Sequence, residues 1–426
     1  MPDRRIWRPM KFKLTPNHLL IAGSFLFALT MAPSISLGYI SAGILGIGFV
    51  WWCVANRWHP RREDLPLHIF FGFYVLWGLV SSLFGEGVAR SLNYWRADFL
   101  CLIFWLLYNT FRIEPKARYW ALIGFTASIA FLAASGFAQM AIYEWFPGVN
   151  DWLKNSSQRW IRKLALMPEQ GRRIHSTMHT LTYAETLALG GLFLVGAWRS
   201  RRLLGVGLGI AALAAVLVSE SRGPTMSFFV GLLAIAAGYM TFSKKVAWRI
   251  LLPFAIPCLL LFLSPSVWGR LKSTFNPDSN QDRIIMWKVA LRVLEDHPVA
   301  GVGIAHIRTV WPDYFHQEWK EHFPHRQEIW SDVHSLYLQQ AGERGWPGLI
   351  VLLALFAALI VSAAVHLSKD ADRRDLHIAT LAAMTAFLVM NITESAFQDT
   401  EIVFTLYLIL AFAWSAAARR PDPAIR

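Results

Sequence analysis

Long apolar runs separated by short polar connections make up most of the chain. Runs such as Ile35–Val54, Trp120–Ile142 and Leu349–Val365 approach the roughly 20 residues with which an α-helix crosses the core of a bilayer. Bundled membrane helices tolerate the Gly and Pro residues that interrupt several runs. Twelve segments lie near Asn17–Met31, Ile35–Val54, Leu67–Phe84, Tyr94–Thr110, Tyr119–Tyr143, Leu181–Trp198, Leu203–Val218, Thr225–Phe242, Ala247–Leu263, Gly348–Val365, Leu376–Ile392 and Ile402–Ala417. The pattern predicts an all-α polytopic membrane protein with about 12 transmembrane helices.

Two polar stretches are too long to be simple connections between these segments. Glu144–Thr180 follows the fifth segment, and Ser264–Arg344 follows the ninth and is long enough to contain helices of its own. We therefore expect three regions. They are 1–263 with helices 1–9 and a loop at 144–180, 264–347 as a large, partly helical loop that carries the active site, and 348–426 with helices 10–12 and a short tail.

Composition and charge agree with residence in a membrane. Of the 426 residues, 55% are hydrophobic and 16% are charged, whereas soluble proteins have about 25% charged residues. The connections on one side hold 23 Lys and Arg, and the short connections on the other side hold only Arg90, Arg96 and Arg222. Because basic residues accumulate on the cytoplasmic side, both termini are predicted to be cytoplasmic and both long loops periplasmic. The net charge of +13 therefore indicates membrane lipids, not nucleic acid, as partners.

An arginine lies at a predicted helix junction, within Ser219–Pro224. The planar guanidinium of Arg222 and the free backbone N–H groups at a helix start both suit a phosphate group. An arginine that only extends to lipid head groups would give the same pattern.

A second arginine, Arg283, interrupts the apolar arc of an amphipathic helix predicted over Ser279–His297. Ser279 followed by Asp282 resembles a capping box that would start this helix. The expected polar face consists of Gln281, Lys288, Arg292 and Glu295, and the expected apolar arc of Ile284, Trp287, Ala290, Leu291 and Leu294. A charge on a buried face needs a partner, so Arg283 is either half of a structural ion pair or an anion-binding residue.

One histidine, His334, precedes the tenth apolar segment by about three helical turns, which places it near the level of a lipid-borne substrate. A neutral imidazole is a suitable general base near neutral pH, although a single histidine is often structural. Two further sets of histidines could be imagined as metal ligands but lack the glutamate or cysteine that makes a zinc motif specific, so no metal and no other cofactor are expected. Those histidines are His175, His179, His316, His322 and His325.

Together these residues resemble the O-antigen ligase family, which also includes O-antigen polymerases and bacterial protein O-oligosaccharyltransferases. The family's histidine pattern is His, then Asn, Ser or Gln, nine residues, Gly, two residues, and Gly, Thr or Tyr. The matching residues are His334, Ser335, Gly345 and Gly348. The arginine motif of the family is similar to Ser221-Arg222-Gly223, and the signature of its large periplasmic loop is similar to Arg283, Trp287, His297-Pro298 and Gly301-Val302-Gly303.

The resemblance implies a GT-C-like fold in the bacterial inner membrane and a role in lipopolysaccharide biosynthesis. The donor would be O-antigen linked to undecaprenyl diphosphate, and the acceptor a sugar hydroxyl of lipid A-core in the periplasm. His334 would remove the proton of the attacking hydroxyl, while Arg222 and Arg283 would stabilise the departing diphosphate in place of a metal ion. Direct displacement would invert the anomeric configuration. Candidates for binding the phosphates of lipid A are Arg90, Arg96, Arg159, Arg162, Lys163, Arg172 and Arg173.

Three alternatives remain open at this point. An O-antigen polymerase would use the same donor, and a protein O-oligosaccharyltransferase usually carries a longer C-terminal periplasmic region. A lipid-linked glycan flippase or transporter would place ionisable residues near the middle of the membrane. Here Asp98, Glu185 and Glu394 lie near predicted helix ends, which favours chemistry at the membrane surface.

Overall fold

Helices account for most of the residues that the structure, a computed structural model, describes, and no β-strand occurs among them. The described residues are 14–59, 65–162, 164–166, 173–243, 251–256, 259, 268–269, 272–273, 276, 280–316, 319 and 332–417. Within these ranges the α-helices are α1 Pro16–Thr30, α2 Ile35–Asn56, α3 Leu65–Phe84, α4 Val88–Trp95, α5 Cys101–Ile113, α6 Pro115–Trp145, α7 Pro147–Lys154, α8 Arg159–Arg162, α9 Thr180–Ala197, α10 Arg202–Val218, α11 Arg222–Ser243, α12 Gln281–Asp296, α13 Ile307–Tyr314, α14 Leu336–Lys369, α15 Arg374–Thr393 and α16 Thr400–Ala417.

Eleven of the twelve predicted apolar segments fall on these helices. The fourth is divided, because a 3₁₀ helix at Arg96–Leu100 separates α4 from α5. The ninth segment, Ala247–Leu263, lies largely outside the described residues, with 251–256 and 259 helical. In the part of the chain that the structure describes, six helices are long and apolar enough to cross a membrane, namely Ile35–Asn56, Pro115–Trp145, Thr180–Ala197, Arg222–Phe242, Leu336–Lys369 and Ala371–Thr393. The all-helical membrane architecture is confirmed, while the total of 12 and the loop placement stay predictions.

The helix ends gather at two opposite levels of the bundle. At one level, Thr182 near the start of α9 hydrogen-bonds Asp399, just before α16, at 2.8 Å. At the other level, Arg202 at the start of α10 forms an ion pair with Asp375 near the start of α15, at 2.9 Å. The centre is formed by α9 and α16, whose residues are almost entirely buried. Every candidate catalytic residue lies at the first level, as a membrane-surface site requires.

The helix that follows His334 starts earlier than predicted. α14 begins at Leu336 and not at Gly348, and it is kinked at Gly345, which has φ 68° and ψ −177°. The kink leaves the carbonyls of Gly342 and Glu343 without their helical partners, and the N–H groups of Val302 and Gly303 donate to them at 3.0 Å each. The loop after α12 is thereby fixed to α14.

The described part of the large loop has a small hydrophobic core of its own. Its members are Ile285, Met286, Val289, Ala290, Val293, Val302, Ile307, Val310, Trp311, Phe315 and Val333. The buried stripe of α12 is therefore rotated from the predicted arc, because α12 packs against α13 and α14. Leu291 is exposed, and Ile284 and Trp287 face a cavity instead. The proposed N-cap, Ser279, lies outside the described residues, and Asn280 precedes the helix.

Candidate active site

Arg222 is the first residue of α11 and follows a tight turn after α10. In that turn Glu220 has a left-handed backbone with φ 54°. The Nη1 group of Arg222 donates to the carbonyl of Ser273 at 3.0 Å and to Oδ1 of Asn280 at 3.3 Å. Because Asn280 directly precedes α12, Arg222 connects the start of α11 to the helix that carries Arg283.

Arg222 and Arg283 line the same cavity of about 400 Å³ between α11, α12 and α15. The remaining lining residues are Gly223, Met226, Asn280, Ile284, Trp287, Val389, Ile392 and Thr393. Guanidinium groups bind phosphate oxygens through paired, charge-assisted hydrogen bonds. Two such groups in a largely apolar cavity can therefore hold an anion that is attached to an apolar chain.

The carboxylate of Glu394, just after α15, joins Arg283 to His334. Arg283 Nη2 donates to Oε1 of Glu394 at 2.5 Å, and His334 Nδ1 lies 3.1 Å from Oε2. The side chain of Glu394 is 4% exposed, compared with 20% for Arg283 and 31% for His334. The carboxylate is thus buried behind a cation and an imidazole that a substrate can reach. The ion pair offered above as the structural explanation of Arg283 is present.

His334 lies next to the cavity without lining it. Its carbonyl accepts a hydrogen bond from the indole Nε1 of Trp287, a cavity residue, at 3.5 Å. Its own N–H donates to Oδ1 of Asp332 at 2.7 Å, and its backbone is left-handed with φ 49°. The imidazole and the two guanidiniums, which come from three separate segments, are therefore brought to one place.

The surroundings of His334 favour its protonated form. Burial and the repulsion from Arg283 lower the pKa of the imidazole. The hydrogen bond to Glu394 and the negative charges of Asp332 and Glu394 raise it by more, so the pKa lies above its ordinary value. When neutral, the ring donates from Nδ1 to the carboxylate, which leaves Nε2 as the proton acceptor. This arrangement provides a more basic imidazole in which Nε2 is the defined proton acceptor.

The glycines of the two motifs, Gly223 and Gly348, lie where a side chain would crowd neighbouring atoms. A Cβ on Gly223 would lie 3.0 Å from Thr393 Oγ1 and 3.4 Å from Glu394 Cγ, so this glycine lets α11 approach the carboxylate. A Cβ on Gly348 would lie 2.2 Å from the Cβ of Arg344. Arg344 itself is buried and bonds both carboxylate oxygens of Asp98, at 2.7 and 2.8 Å.

The serines of the motifs are also buried. The hydroxyl of Ser221 accepts a hydrogen bond from Arg173 Nη2 at 3.2 Å. The carbonyl of Ser221 accepts one from the hydroxyl of Thr225. Ser335 precedes α14, and its carbonyl accepts the N–H of Gln339 at 2.9 Å. Both serines therefore stabilise the starts of the helices that follow the candidate catalytic residues.

The other basic candidates are found in different settings. Arg90 and Arg96 are exposed, and Arg90 donates to Thr309 of the large loop at 3.2 Å. Arg173 donates to the carbonyl of Ser219 at 3.0 Å as well as to Ser221, and Arg162 donates to the carbonyl of Ser156. Lys163, Arg172 and the side chain of Arg159 lie outside the described residues.

Within the described ranges, no group of three or more His, Cys, Asp or Glu is arranged to hold a metal ion. His322 and His325 lie outside those ranges.

Glu394 is a candidate site residue that the sequence placed only near a helix end and did not connect to His334 or Arg283. It lies 60 positions after His334 and 111 after Arg283, so no local pattern connects the three. The signal in the sequence is a carboxylate at the end of an apolar segment, in a chain where Arg283 and His334 also lack an evident partner. Such a charge needs a partner, but the sequence does not say which one.

A comparison with family models gives one match, to the family described as O-antigen ligase, over residues 207–353. The matched region contains Arg222, Arg283 and His334, and it covers about a third of the chain. The predicted resemblance is confirmed over this region, and the match indicates a glycosyl-transfer enzyme of the ligase or polymerase type. No curated protein matches the chain.

Proposed function

We propose that this chain, whose residues 207–353 match the O-antigen ligase family, transfers O-antigen polysaccharide from undecaprenyl diphosphate to a sugar hydroxyl of lipid A-core. The reaction takes place on the periplasmic side of the inner membrane, without a metal ion and with inversion. One observation carries the proposal. A buried carboxylate, Glu394, joins the candidate base His334 to Arg283, which shares a cavity with Arg222.

The cavity suits the lipid diphosphate end of the donor. Two guanidiniums can donate to the oxygens of a diphosphate, Arg283 while its Nη2 stays bonded to Glu394, and Met226, Val389 and Ile392 provide an apolar wall for the adjoining prenyl chain. As the bond from the anomeric carbon to the diphosphate oxygen breaks, the leaving oxygen gains negative charge. The guanidiniums stabilise that charge, so no acid has to protonate the leaving group.

His334 receives the proton of the attacking hydroxyl. Glu394 holds Nδ1, so Nε2 takes the proton while the acceptor oxygen bonds to the anomeric carbon from the face opposite the diphosphate. The imidazolium that forms is stabilised by Glu394 and Asp332. A single displacement of this kind inverts the configuration of the anomeric carbon.

Donor binding tests the arginines. We expect Arg222→Ala and Arg283→Ala each to weaken binding of undecaprenyl diphosphate to the purified protein by about tenfold or more, since each removes a charge-assisted contact. Arg292→Ala is the matched control, because Arg292 lies on the same helix as Arg283 but its guanidinium stacks over the Trp319 ring at 4.9 Å. Unchanged affinity in both site variants would show that these arginines do not bind the diphosphate.

Arg96 and Arg90 are better candidates than Arg173 for binding the acceptor phosphates, because Arg173 already donates hydrogen bonds to Ser219 and Ser221 beside Arg222. Phe99 lines an apolar groove of about 580 Å³ between α3 and α5. Arg96 is exposed and lies in the chain between two residues that line this groove, Trp95 and Phe99. We propose that acyl chains of lipid A enter this groove and that Arg96 meets a phosphate. An Arg96→Glu variant with an unchanged acceptor KM would contradict this.

A polymerase of the same family would use the same donor, and the His334 to Gly348 pattern favours the ligase. Membranes that lack the protein distinguish the alternatives. A ligase defect leaves lipid-linked polymer, a polymerase defect leaves single lipid-linked repeat units, and a flippase defect leaves precursor on the cytoplasmic face. Accumulation of single repeat units would reassign the chain to polymerisation.

The periplasmic placement of the site can be tested with two matched substitutions. Ser157 and Ser200 are both exposed and lie in predicted loops on opposite sides of the membrane. We expect an impermeant maleimide to label Ser157→Cys in intact spheroplasts and Ser200→Cys only after permeabilisation. The reverse order would place the site in the cytoplasm.

A further inference from the structure

Two buried side chains on α14, Gln339 and Glu343, form a hydrogen-bonded pair one helical turn apart. The amide Nε2 of Gln339 donates to Oε1 of Glu343 at 2.9 Å, and the two residues are 3% and 1% exposed. Neither residue is among those that line the cavity of Arg222 and Arg283. A buried polar pair of this kind requires an explanation, because burial of an amide and a carboxyl is costly unless both are satisfied.

The other end of the Gln339 amide provides that explanation. Its Oε1 accepts the N–H of Val333, which precedes His334, at 2.9 Å. The same oxygen lies 3.5 Å from the hydroxyl of Ser395, which follows Glu394. The two segments are joined next to this point by a backbone bond from Leu336 N–H to the carbonyl of Glu394, at 3.0 Å. The Gln339 side chain therefore connects the segment that carries His334 to the segment that carries Glu394.

The orientation of this amide is determined from both ends. A backbone N–H can only donate, so the atom that faces Val333 must be the oxygen. The carboxyl of Glu343 accepts, so the atom that faces it must be the NH₂ group. Glu343 thus holds Gln339 in the one orientation that bonds both segments.

We infer that Gln339 and Glu343 are positioning residues, which fix His334 relative to Glu394 for the transfer reaction. The inference rests on the proposed role of His334 as the base. A carboxylate and an imidazole 3.1 Å apart form a defined hydrogen bond only if their two segments keep one register. Small misplacements of a catalytic group reduce the rate of the chemical step more than they reduce substrate binding.

Exchanging the donor and the acceptor of the pair formed by Gln339 and Glu343 tests this inference. Gln339→Glu replaces the NH₂ donor with an oxygen, so at alkaline pH, where both measurements are made and the two carboxyl groups no longer share a proton, the pair is broken. Gln340→Glu is the matched control, because it makes the same change at the next residue, a buried glutamine whose Oε1 accepts from the hydroxyl of Tyr74 at 3.4 Å. The double variant Gln339→Glu/Glu343→Gln restores one donor and one acceptor with the polarity reversed, and it keeps a single carboxyl in the pair.

Two measurements are made on the full-length protein in detergent or proteoliposomes, after a thermal melt shows that each variant is folded. Hydrogen exchange of the amides of 333–336 reports the fastening directly, and kcat and KM report the reaction. We expect Gln339→Glu to exchange faster and to lose at least about tenfold in kcat, with a donor KM that stays within about twofold. Gln340→Glu and the double variant should resemble the wild type in both measurements.

The outcomes separate this inference from the proposed function. Wild-type exchange and kcat in Gln339→Glu, or a double variant that folds but recovers neither, would overturn the inference. Faster exchange with unchanged kcat would also overturn it, since the pair would then support only the fold. If His334→Ala in the same assay keeps the wild-type kcat, the proposed base is wrong, whatever the exchange shows.

Discussion

At the scale of single residues, the site has two non-glycine residues in the left-handed region. His334 has φ 49°, and Glu220, two positions before Arg222, has φ 54°. Each such conformation costs about 1–2 kcal/mol and persists only where the surroundings enforce it. The bond from His334 N–H to Asp332 and the bonds of the Ser219 hydroxyl and carbonyl provide that enforcement. The surroundings thus hold the base and the turn before Arg222 in place before any substrate binds.

The pH dependence of the reaction tests the contact between Glu394 and His334. His334 acts as a base only when neutral, so kcat falls as the pH decreases through its pKa. Since Glu394 and Asp332 raise that pKa, removal of one negative charge must lower it. We expect Glu394→Gln to move the acidic limb of the kcat profile to lower pH and to reduce kcat at the plateau. Asp98→Asn, at a carboxylate bonded to Arg344, is the comparison and should leave the limb in place. A limb that does not move in Glu394→Gln would contradict the contact.

At the scale of elements, the kink in α14 decides where His334 lies. Trp346 N–H donates to the carbonyl of Pro298 at 2.9 Å, and the backbone at Gly345 passes against the carbonyl of Val299. The kink therefore docks the loop after α12 onto α14. Since α12 carries Arg283, the same junction sets the distance between the arginine and the base.

Gly345 should accept no side chain. An added Cβ would lie 2.1 Å from the carbonyl oxygen of Val299, and its backbone conformation is one that only glycine adopts readily. We expect Gly345→Ala to destabilise the protein by about 1–3 kcal/mol and to lower the melting temperature in detergent. Gly46→Ala in α2 is the control, because nothing lies within 4 Å of a Cβ there. Equal melting temperatures for the two variants would contradict this reading of the kink.

The helices that the sequence predicts best are those with the longest apolar runs. Apolar runs of bilayer length located eleven helical regions, because length and hydropathy alone determine such helices. The start of α14 was missed, because residues 336–347 contain Glu343 and Arg344, whose burial depends on Gln339 and Asp98. The buried stripe of α12 was also misjudged, since its partners come from 302–315. The sequence picked out Arg222, Arg283 and His334, but not Glu394, which only the folded chain brings to them.

At the scale of the whole molecule, α14 lies between two apolar openings. It packs against α3, which borders the groove beside Arg96, and against α15, which borders the cavity of Arg222 and Arg283. His334 lies at the start of this helix. In the proposed reaction a donor lipid and an acceptor lipid therefore reach the base from different sides, and neither has to leave the bilayer.

The most direct measurement is the rate of glycan transfer by the purified protein in proteoliposomes that contain undecaprenyl diphosphate-linked donor and lipid A-core acceptor. The account predicts that His334→Ala binds the donor with wild-type affinity but transfers about 10²- to 10⁴-fold more slowly, since only proton removal is lost. Transfer by His334→Ala at the wild-type rate would contradict the account.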